Sequence, residues 1–355
     1  MPVSVPRPPA ARRLVGVVAA IGGLALFAYT LRQAGVGTVA DGFSRVGAAF
    51  AVILLLSGLR FVIRAWAWVL CTEPPHRLRL RDTFPALVGG DALGNLTPLG
   101  LFVSEPMKAA YVRDRVSLMN ALSGIAVENL FYIFTVAAMI AGGTLALLAL
   151  VDVPAALHAT SLAALAGMLA FLALTLALVS GRVRPLTWLL SRLDRRSLVP
   201  AALARRIDKL QDLEDRVYTF ARRYPSRPLP VLLLEFGYHA AGVAETWLTL
   251  AMLLPAGSAP SLLGAFLLES LNRLINVVFK FVPMRLGVDE AGSGLLTQLL
   301  YGSAPLGVTL AVVRKARMLV WTGVGVVFLG LRGIGSARAS YAADDSLPPA
   351  AGGQR

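Results

Sequence analysis

Charged side chains interrupt the apolar stretches of this sequence at helical spacing. Arg60 and Arg64 are four apart and share a helix face; Glu269 and Arg273 do the same, with Lys280 two turns further along. Glu128, Glu235, His239, Glu245, Arg314, Lys315 and Arg317 fall within other apolar runs. An ionisable group at the bilayer centre costs between about 2.5 and more than 10 kcal/mol, so each must face a partner or a wet cavity. The embedded set holds nine cations (Arg60, Arg64, Lys108, Arg273, Lys280, Arg285, Arg314, Lys315, Arg317) against seven anions (Glu105, Glu128, Glu235, Glu245, Glu269, Asp289, Glu290). Such a surplus suits a phosphate or carboxylate head group, which Arg holds in a bidentate fork and Lys as a point charge. Arg60, Arg64, Glu105, Lys108, Arg273, Lys280, Arg285, Glu290, Arg314 and Arg317 are therefore the candidate head-group residues. Glu128, Glu235, His239 and Glu269 are candidates for ion pairing or coupling, with His239 expected to pair with Glu235 one turn earlier.

Signatures of soluble chemistry are missing. There is no HExxH, GxSxG or Walker A motif, and no GxGxxG between a strand and a helix. His76, His158 and His239 are scattered and Cys71 is the single cysteine, so we expect no metal, cofactor or catalytic residue and no intramolecular disulfide. Without an ATP-binding loop, transport would be downhill, ion-coupled or dependent on a partner.

The elements that carry these charges are predicted to be membrane helices. Hydrophobic residues make up 56% and charged residues 15% of the chain, and the mean hydropathy is +0.68. Several stretches reach the roughly 20 apolar residues that cross a hydrocarbon core, and the alternating strands of a barrel are missing. The expected fold is all-α and polytopic, with six full spans: Leu14–Leu31, Val46–Leu70, Leu118–Leu150, Ala155–Ser180, Leu229–Leu254 and Pro305–Leu331. Six crossings place both termini on one side. Arg7, Arg12 and Arg13 before the first span, and Arg332 and Arg338 after the last, make it the cytoplasmic side of a bacterial-type inner membrane. No small-residue cleavage site follows the first span, which reads as uncleaved. The net charge of +14 lies mostly in short segments between apolar runs, a positive-inside pattern that argues against nucleic acid as the partner.

Segments 1–13, 14–331 and 332–355 then read as a cytoplasmic N-terminus, a transmembrane domain and a disordered tail. Within the domain, 181–228 is a basic cytoplasmic connector in which Leu203, Ile207, Leu210, Leu213 and Val217 predict an amphipathic helix. Docking of a soluble or membrane partner enzyme there is an alternative to simple contact with lipid. Two stretches do not read as ordinary spans. Phe84–Val103 is short and punctuated by Gly89, Gly90, Gly94 and Gly100; Ser261–Pro283 carries Glu269, Arg273 and Lys280, breaks, and resumes at Gly287–Tyr301. Both read as re-entrant or broken hairpins. The GxxxG formed by Gly90 and Gly94 reads as tight helix packing. Asn95, Pro98, Gly100 and Glu105 in the first hairpin match Asn276, Pro283, Gly287 and Glu290 in the second, with equal Pro-to-Glu spacing, which predicts an inverted repeat. Transporters commonly build midplane sites from such pairs.

The stretches GNLTPLGLFVSEPMKAAYVRDRVSLMNALSGIAVENLFY (94–132), FVPMRLGVDEAGSGLLTQLLYG (281–302) and TLAVVRKARML (309–319) resemble the lysylphosphatidylglycerol synthase transmembrane-region family from about residue 14 to 331. In bifunctional members of that family this region moves aminoacylated phosphatidylglycerol to the outer leaflet, and a C-terminal soluble domain makes the lipid. This chain ends soon after its last span, so the resemblance implies translocation rather than synthesis, with membrane lipids, an anionic phospholipid or an isoprenoid phosphate, as partners. Asn95, Pro98, Glu105, Glu128, Pro283, Gly287, Glu290 and Arg314 fall on the family's motifs; Val103-Ser104-Glu105 departs from an expected Gly-Glu. The competing expectations are an intramembrane lipid-modifying enzyme or subunit with Glu105, Glu290 or His239 as base, and a membrane scaffold that docks a soluble partner on segment 181–228.

Overall fold

The computed structural model describes residues 35–74, 78–97, 100–151, 154–179, 207–255, 257–280 and 282–345, with isolated positions at 28, 29, 32, 33, 188 and 192. Its regular elements are helices, and no strand occurs among the described residues. In chain order they are α1 (Val36–Val46), α2 (Ala49–Cys71), α3 (Leu80–Leu96), α4 (Leu101–Tyr111), α5 (Leu118–Leu150), α6 (Ala155–Val179), α7 (Ile207–Arg223), α8 (Pro228–Leu253), α9 (Leu262–Val278), α10 (Val288–Tyr301) and α11 (Ala304–Asp345). The all-α expectation holds. Helices α2 and α5, with His158–Ala177 of α6, are long and apolar enough to cross a membrane. Helices α8 and α11 have the length but carry Glu235, Glu245, Arg314, Lys315 and Arg317 along it. The expected first span falls outside the described residues apart from isolated positions, as do Pro98 and most of 181–206.

Local chemistry sets the boundaries. Ser117 Oγ accepts the Asn120 N–H at 3.3 Å to start α5, and Ser261 Oγ accepts the Gly264 N–H at 3.2 Å to start α9. Asp82 accepts the Arg79 N–H at 3.0 Å at the start of α3. The second expected span starts later than the apolar pattern suggests, because Gly47 at φ 43° turns the chain between α1 and α2. Helix α11 continues through Asp345, so the segment expected to be disordered from 332 begins as helix. Both interrupted stretches are helix–break–helix pairs. Helix α3 stops before Thr97 and α4 begins after Gly100; α9 stops at Val278, a 3₁₀ turn spans Pro283–Arg285, and α10 begins after Gly287.

The two broken pairs are held by helices from distant parts of the chain. Helix α2 packs along α8, α3 along α11, and α9 along α5. The amphipathic helices cross over in the same sense, α1 onto α11 and α7 onto α5. Helix α7 is pinned by Phe220, which is buried with Phe131, Val231, Ala67 and Cys71, and by Arg216, whose guanidinium donates to Asn120 Oδ1 at 2.8 Å. The expected amphipathic helix therefore docks on the bundle itself. A second apolar cluster joins Ile53, Leu250, Leu268, Leu310 and Val313 from four helices.

Small residues permit these crossings. A Cβ on Gly325 would lie 2.5 Å from the Val88 carbonyl oxygen and 2.6 Å from Ala92 Cβ, so α11 and α3 touch backbone to backbone there. Gly90 and Gly94 face the second arm: a Cβ on Gly90 would strike the Lys108 stem at 2.4 Å, and one on Gly94 would crowd Ser104 at 3.3 Å. Gly325→Val should overpack this crossing and destabilise the protein by about 1–3 kcal/mol. Gly330→Val, in the same helix with open space around it, serves as the control and should leave the melting temperature in detergent nearly unchanged.

Candidate functional site

The two breaks open on one cavity of about 800 Å³. From the first pair it receives Asp91, Asn95, Ser104, Glu105 and Lys108; from the second, Asn272, Arg273, Asn276, Lys280 and Arg285. Helix α2 adds Arg60 and Arg64, and α11 adds Arg314, Lys315 and Arg317. Along one side the wall is apolar, with Ile133, Val136 and Ile140 of α5 and Met168 and Phe171 of α6.

Glu269 is the centre of the polar wall. It is 1% exposed and pairs with Arg273 one turn on, with Arg60 at 3.5 Å and with Arg314 at 3.3 Å. The Thr246 hydroxyl and the Asn272 amide each donate to it at 3.3 Å. Glu245 takes Arg60 at 3.1 Å and Arg317. Four guanidiniums, from Arg60, Arg273, Arg314 and Arg317, thus face two carboxylates, which leaves a surplus of two positive charges. Tyr238 sits among them: its ring lies 4.5 Å from the Arg60 guanidinium and 5.1 Å from that of Arg273, and its hydroxyl accepts from Arg273 at 3.2 Å. Beside this cluster Arg64 forks onto Glu128, Nε to Oε1 at 2.7 Å and Nη2 to Oε2 at 2.9 Å, and stacks 4.1 Å from the Tyr132 ring.

At the first break Lys108 Nζ bridges Asp91 at 2.8 Å and Glu105 at 3.2 Å. Gly90 makes room for the lysine stem. At the second break Met284 and Arg285 hold φ of 51° and 50°, left-handed backbone that side chains rarely adopt and that costs of order 1–3 kcal/mol per residue. Lys315 fastens this turn by donating to Asp289 at 3.1 Å and to the Arg285 carbonyl at 3.4 Å, with the Glu290 carboxylate 2.8 Å away as a charge partner.

The expected head-group residues Arg60, Arg64, Glu105, Lys108, Arg273, Lys280, Arg285, Arg314 and Arg317 all line the cavity. Glu290 does not: fully buried, it accepts the Gly287 N–H at 2.8 Å and pairs with Lys315, so it serves to start α10. Its expected counterpart Glu105 faces the cavity, because α4 begins five residues before Glu105 and α10 only three before Glu290, counting from Gly100 and Gly287. The matched asparagines also differ, Asn95 donating to Thr322 of α11 at 3.4 Å and Asn276 to its own helix at Asn272. Glu128 pairs with Arg64, and Glu269 with Arg60, Arg273 and Arg314. Glu235 and His239 do not pair with each other: His239 Nε2 meets the Thr135 hydroxyl at 3.1 Å, and both Glu235 oxygens lack a donor among the described residues. Periodicity put the two on one face, but that face is turned to α5. Asp91, Tyr132 and Tyr238 escaped the sequence reading. The signal for Asp91 was an acid lodged between Gly90 and Gly94 of the broken stretch.

Residues 13–330 match the family described as the lysylphosphatidylglycerol synthase TM region, nearly the whole chain. The chain belongs to this family. Comparison with curated proteins and with solved structures gave no match. Family membership and the apolar helices make this a membrane protein with transmembrane helices.

In a membrane-embedded family member a carboxylate stripped of its guanidinium has no water to fall back on. Arg64→Leu and Glu128→Leu should each destabilise the fold by about 3–5 kcal/mol, whereas the double substitution should cost much less than their sum. Thermal unfolding of the four proteins in one detergent closes this cycle.

Proposed function

We propose that this protein moves an anionic lipid between leaflets, with the head group in the cationic cavity and the acyl or isoprenoid chain along its apolar side. The observation that carries the reading is the arginine cluster: four guanidiniums share two carboxylates in a space large enough for a phosphorylated head group. Lys280 adds a cation that lines the same space without an ion pair of its own among the described residues. A phosphodiester would offset part of the positive surplus that the protein alone leaves open. The apolar wall from α5 and α6 matches the other half of an amphipathic substrate.

The crossed packing supports an inverted repeat with α1–α5 and α7–α11 as its units. Each unit has an amphipathic helix, a long helix, a broken pair and a closing long helix, and each closing helix packs on the other unit's first arm. Two such units, inserted in opposite senses with both termini cytoplasmic in an inner membrane, would place the breaks at mid-depth, where irregular backbone is tolerated only around a cavity. Alternating exposure of that cavity requires no nucleotide site, and head groups of phosphatidylglycerol, its aminoacyl derivatives and isoprenoid phosphates share the chemistry needed. The family's name links its members to lysylphosphatidylglycerol synthases; transport without lipid modification is the activity we assign to this chain.

Liposomes containing the purified protein and fluorescent phosphatidylglycerol provide the test. Dithionite quenching should report protein-dependent movement to the outer leaflet, and mass spectrometry should find the lipid unchanged. Lys280→Glu, a charge reversal in an exposed position, should slow movement at least tenfold while the protein still inserts and melts as wild type. A changed lipid mass would instead favour the enzyme reading, and unchanged transport in the variant would remove Lys280 from the site.

A further inference from the structure

Glu235 is fully buried on α8, and among the described residues neither of its carboxylate oxygens meets a donor. Across the interface with α5 it faces Glu128, whose two oxygens are already taken by Arg64. The groups around it are Glu128 and Tyr132 of α5, Arg64 and Cys71 of α2, and His239 of its own helix, which in turn feels Arg273 of α9. His239 is 4% exposed, is bonded through Nε2 to Thr135, and has no partner for Nδ1 among the described residues. Among the described residues Arg64 is the one cation hydrogen-bonded to this pair of carboxyls, and with Tyr132 it lines the cavity.

From this juxtaposition we infer that Glu235 is a proton-binding site coupled through Glu128 and Arg64 to anion binding in the cavity. The inference rests on the reading of the cavity as a head-group site. With Glu235 ionised, Glu128, Glu235 and Arg64 carry a net charge of −1, which repels an incoming phosphate and holds the guanidinium. With a proton on Glu235 the trio is neutral, and the new O–H donates to Glu128. That bond competes with the Arg64 fork, so the guanidinium is freer to turn to a cavity anion. No covalent bond forms or breaks apart from the O–H of the carboxyl. Proton and anion then favour each other's binding by the same factor, as linkage demands. A lipid phosphate crossing with a proton carries no net charge, which is how this site would couple movement to a pH gradient. Glutamine at 235 reproduces the protonated acid: neutral, the same size, and a permanent donor to Glu128.

The experiment uses the full chain in detergent with dihexanoyl phosphatidylglycerol, whose phosphodiester keeps one negative charge between roughly pH 5 and 9. Calorimetry at each pH gives the affinity, and repeating it in two buffers of different ionisation enthalpy counts the protons taken up. For the wild type, affinity should fall as pH rises, by about five- to 150-fold between plateaus, with proton uptake on binding in the intervening range. Glu235→Gln should hold the wild type's acid-side affinity at every pH and take up no proton. Binding that is independent of pH in the wild type overturns the coupling while leaving the head-group site intact. A pH slope that survives in Glu235→Gln removes Glu235 from it. Absence of binding at every pH overturns both readings. Should Glu235→Gln fail to fold, the wild type's infrared difference spectrum on lipid addition decides: a gain in protonated-carboxyl absorption supports the coupling, and a spectrum without one overturns it.

Discussion

An ionised side chain cannot sit alone in a medium that does not solvate it, and the arrangement of the helices here follows from that constraint on Glu269. This carboxylate receives Arg60 from α2, Thr246 from α8, Arg273 from its own helix α9 and Arg314 from α11. Four helices therefore meet on one acid. Apolar packing between membrane helices specifies position weakly, since lipid tails are as apolar as Leu. A shared buried charge specifies it strongly, because sliding any of the four helices by one turn would leave either the acid or a guanidinium without its partner. The apolar cluster of Ile53, Leu250, Leu268 and Leu310 lies on the same four helices and fills the space that this node defines.

The same node keeps a cavity open beside it. Guanidiniums in excess repel one another unless an anion or water lies between them, so four around two carboxylates resist collapse into a dry core. Tyrosines moderate the repulsion: Tyr238 presents its ring to Arg60 and Arg273, and Tyr132 presents its own to Arg64. The breaks contribute the rest. Helix interruption at Thr97–Gly100 and Phe279–Gly287 leaves backbone groups that hydrocarbon could not satisfy, and both interruptions adjoin the polar space.

Much of this was legible along the chain and some of it was not. Helices α5 and α6 run as the apolar pattern indicates because nothing charged interrupts their predicted ends, and both breaks were marked by glycine, proline and a shortfall in apolar length. The charges at positions 60, 64, 273, 314 and 317 could be recognised as a cavity lining because their cost in lipid is independent of fold. Their partners could not. Periodicity places residues on a face but does not say which helix that face meets, so Glu235 and His239 look like a pair in sequence yet point to separate neighbours on α5. Equal Pro-to-Glu spacing likewise concealed that α4 and α10 start at different distances from their glutamates.

That difference divides the labour of the two broken pairs. In the second, Glu290 and Lys315 are turned to structure: together with Asp289 they hold the left-handed backbone at Met284 and Arg285, and the charges of that turn cancel among themselves. In the first, Lys108 is held between Asp91 and Glu105, both of which face the cavity, and no carboxylate is spent on capping the second arm. Lys280 faces the same two carboxylates, so two acids and two lysines balance at this end of the cavity while the arginine cluster keeps its surplus. The cavity's positive surplus thus lies with the helices that meet on Glu269, and on the proposed reading those helices would retain the phosphate.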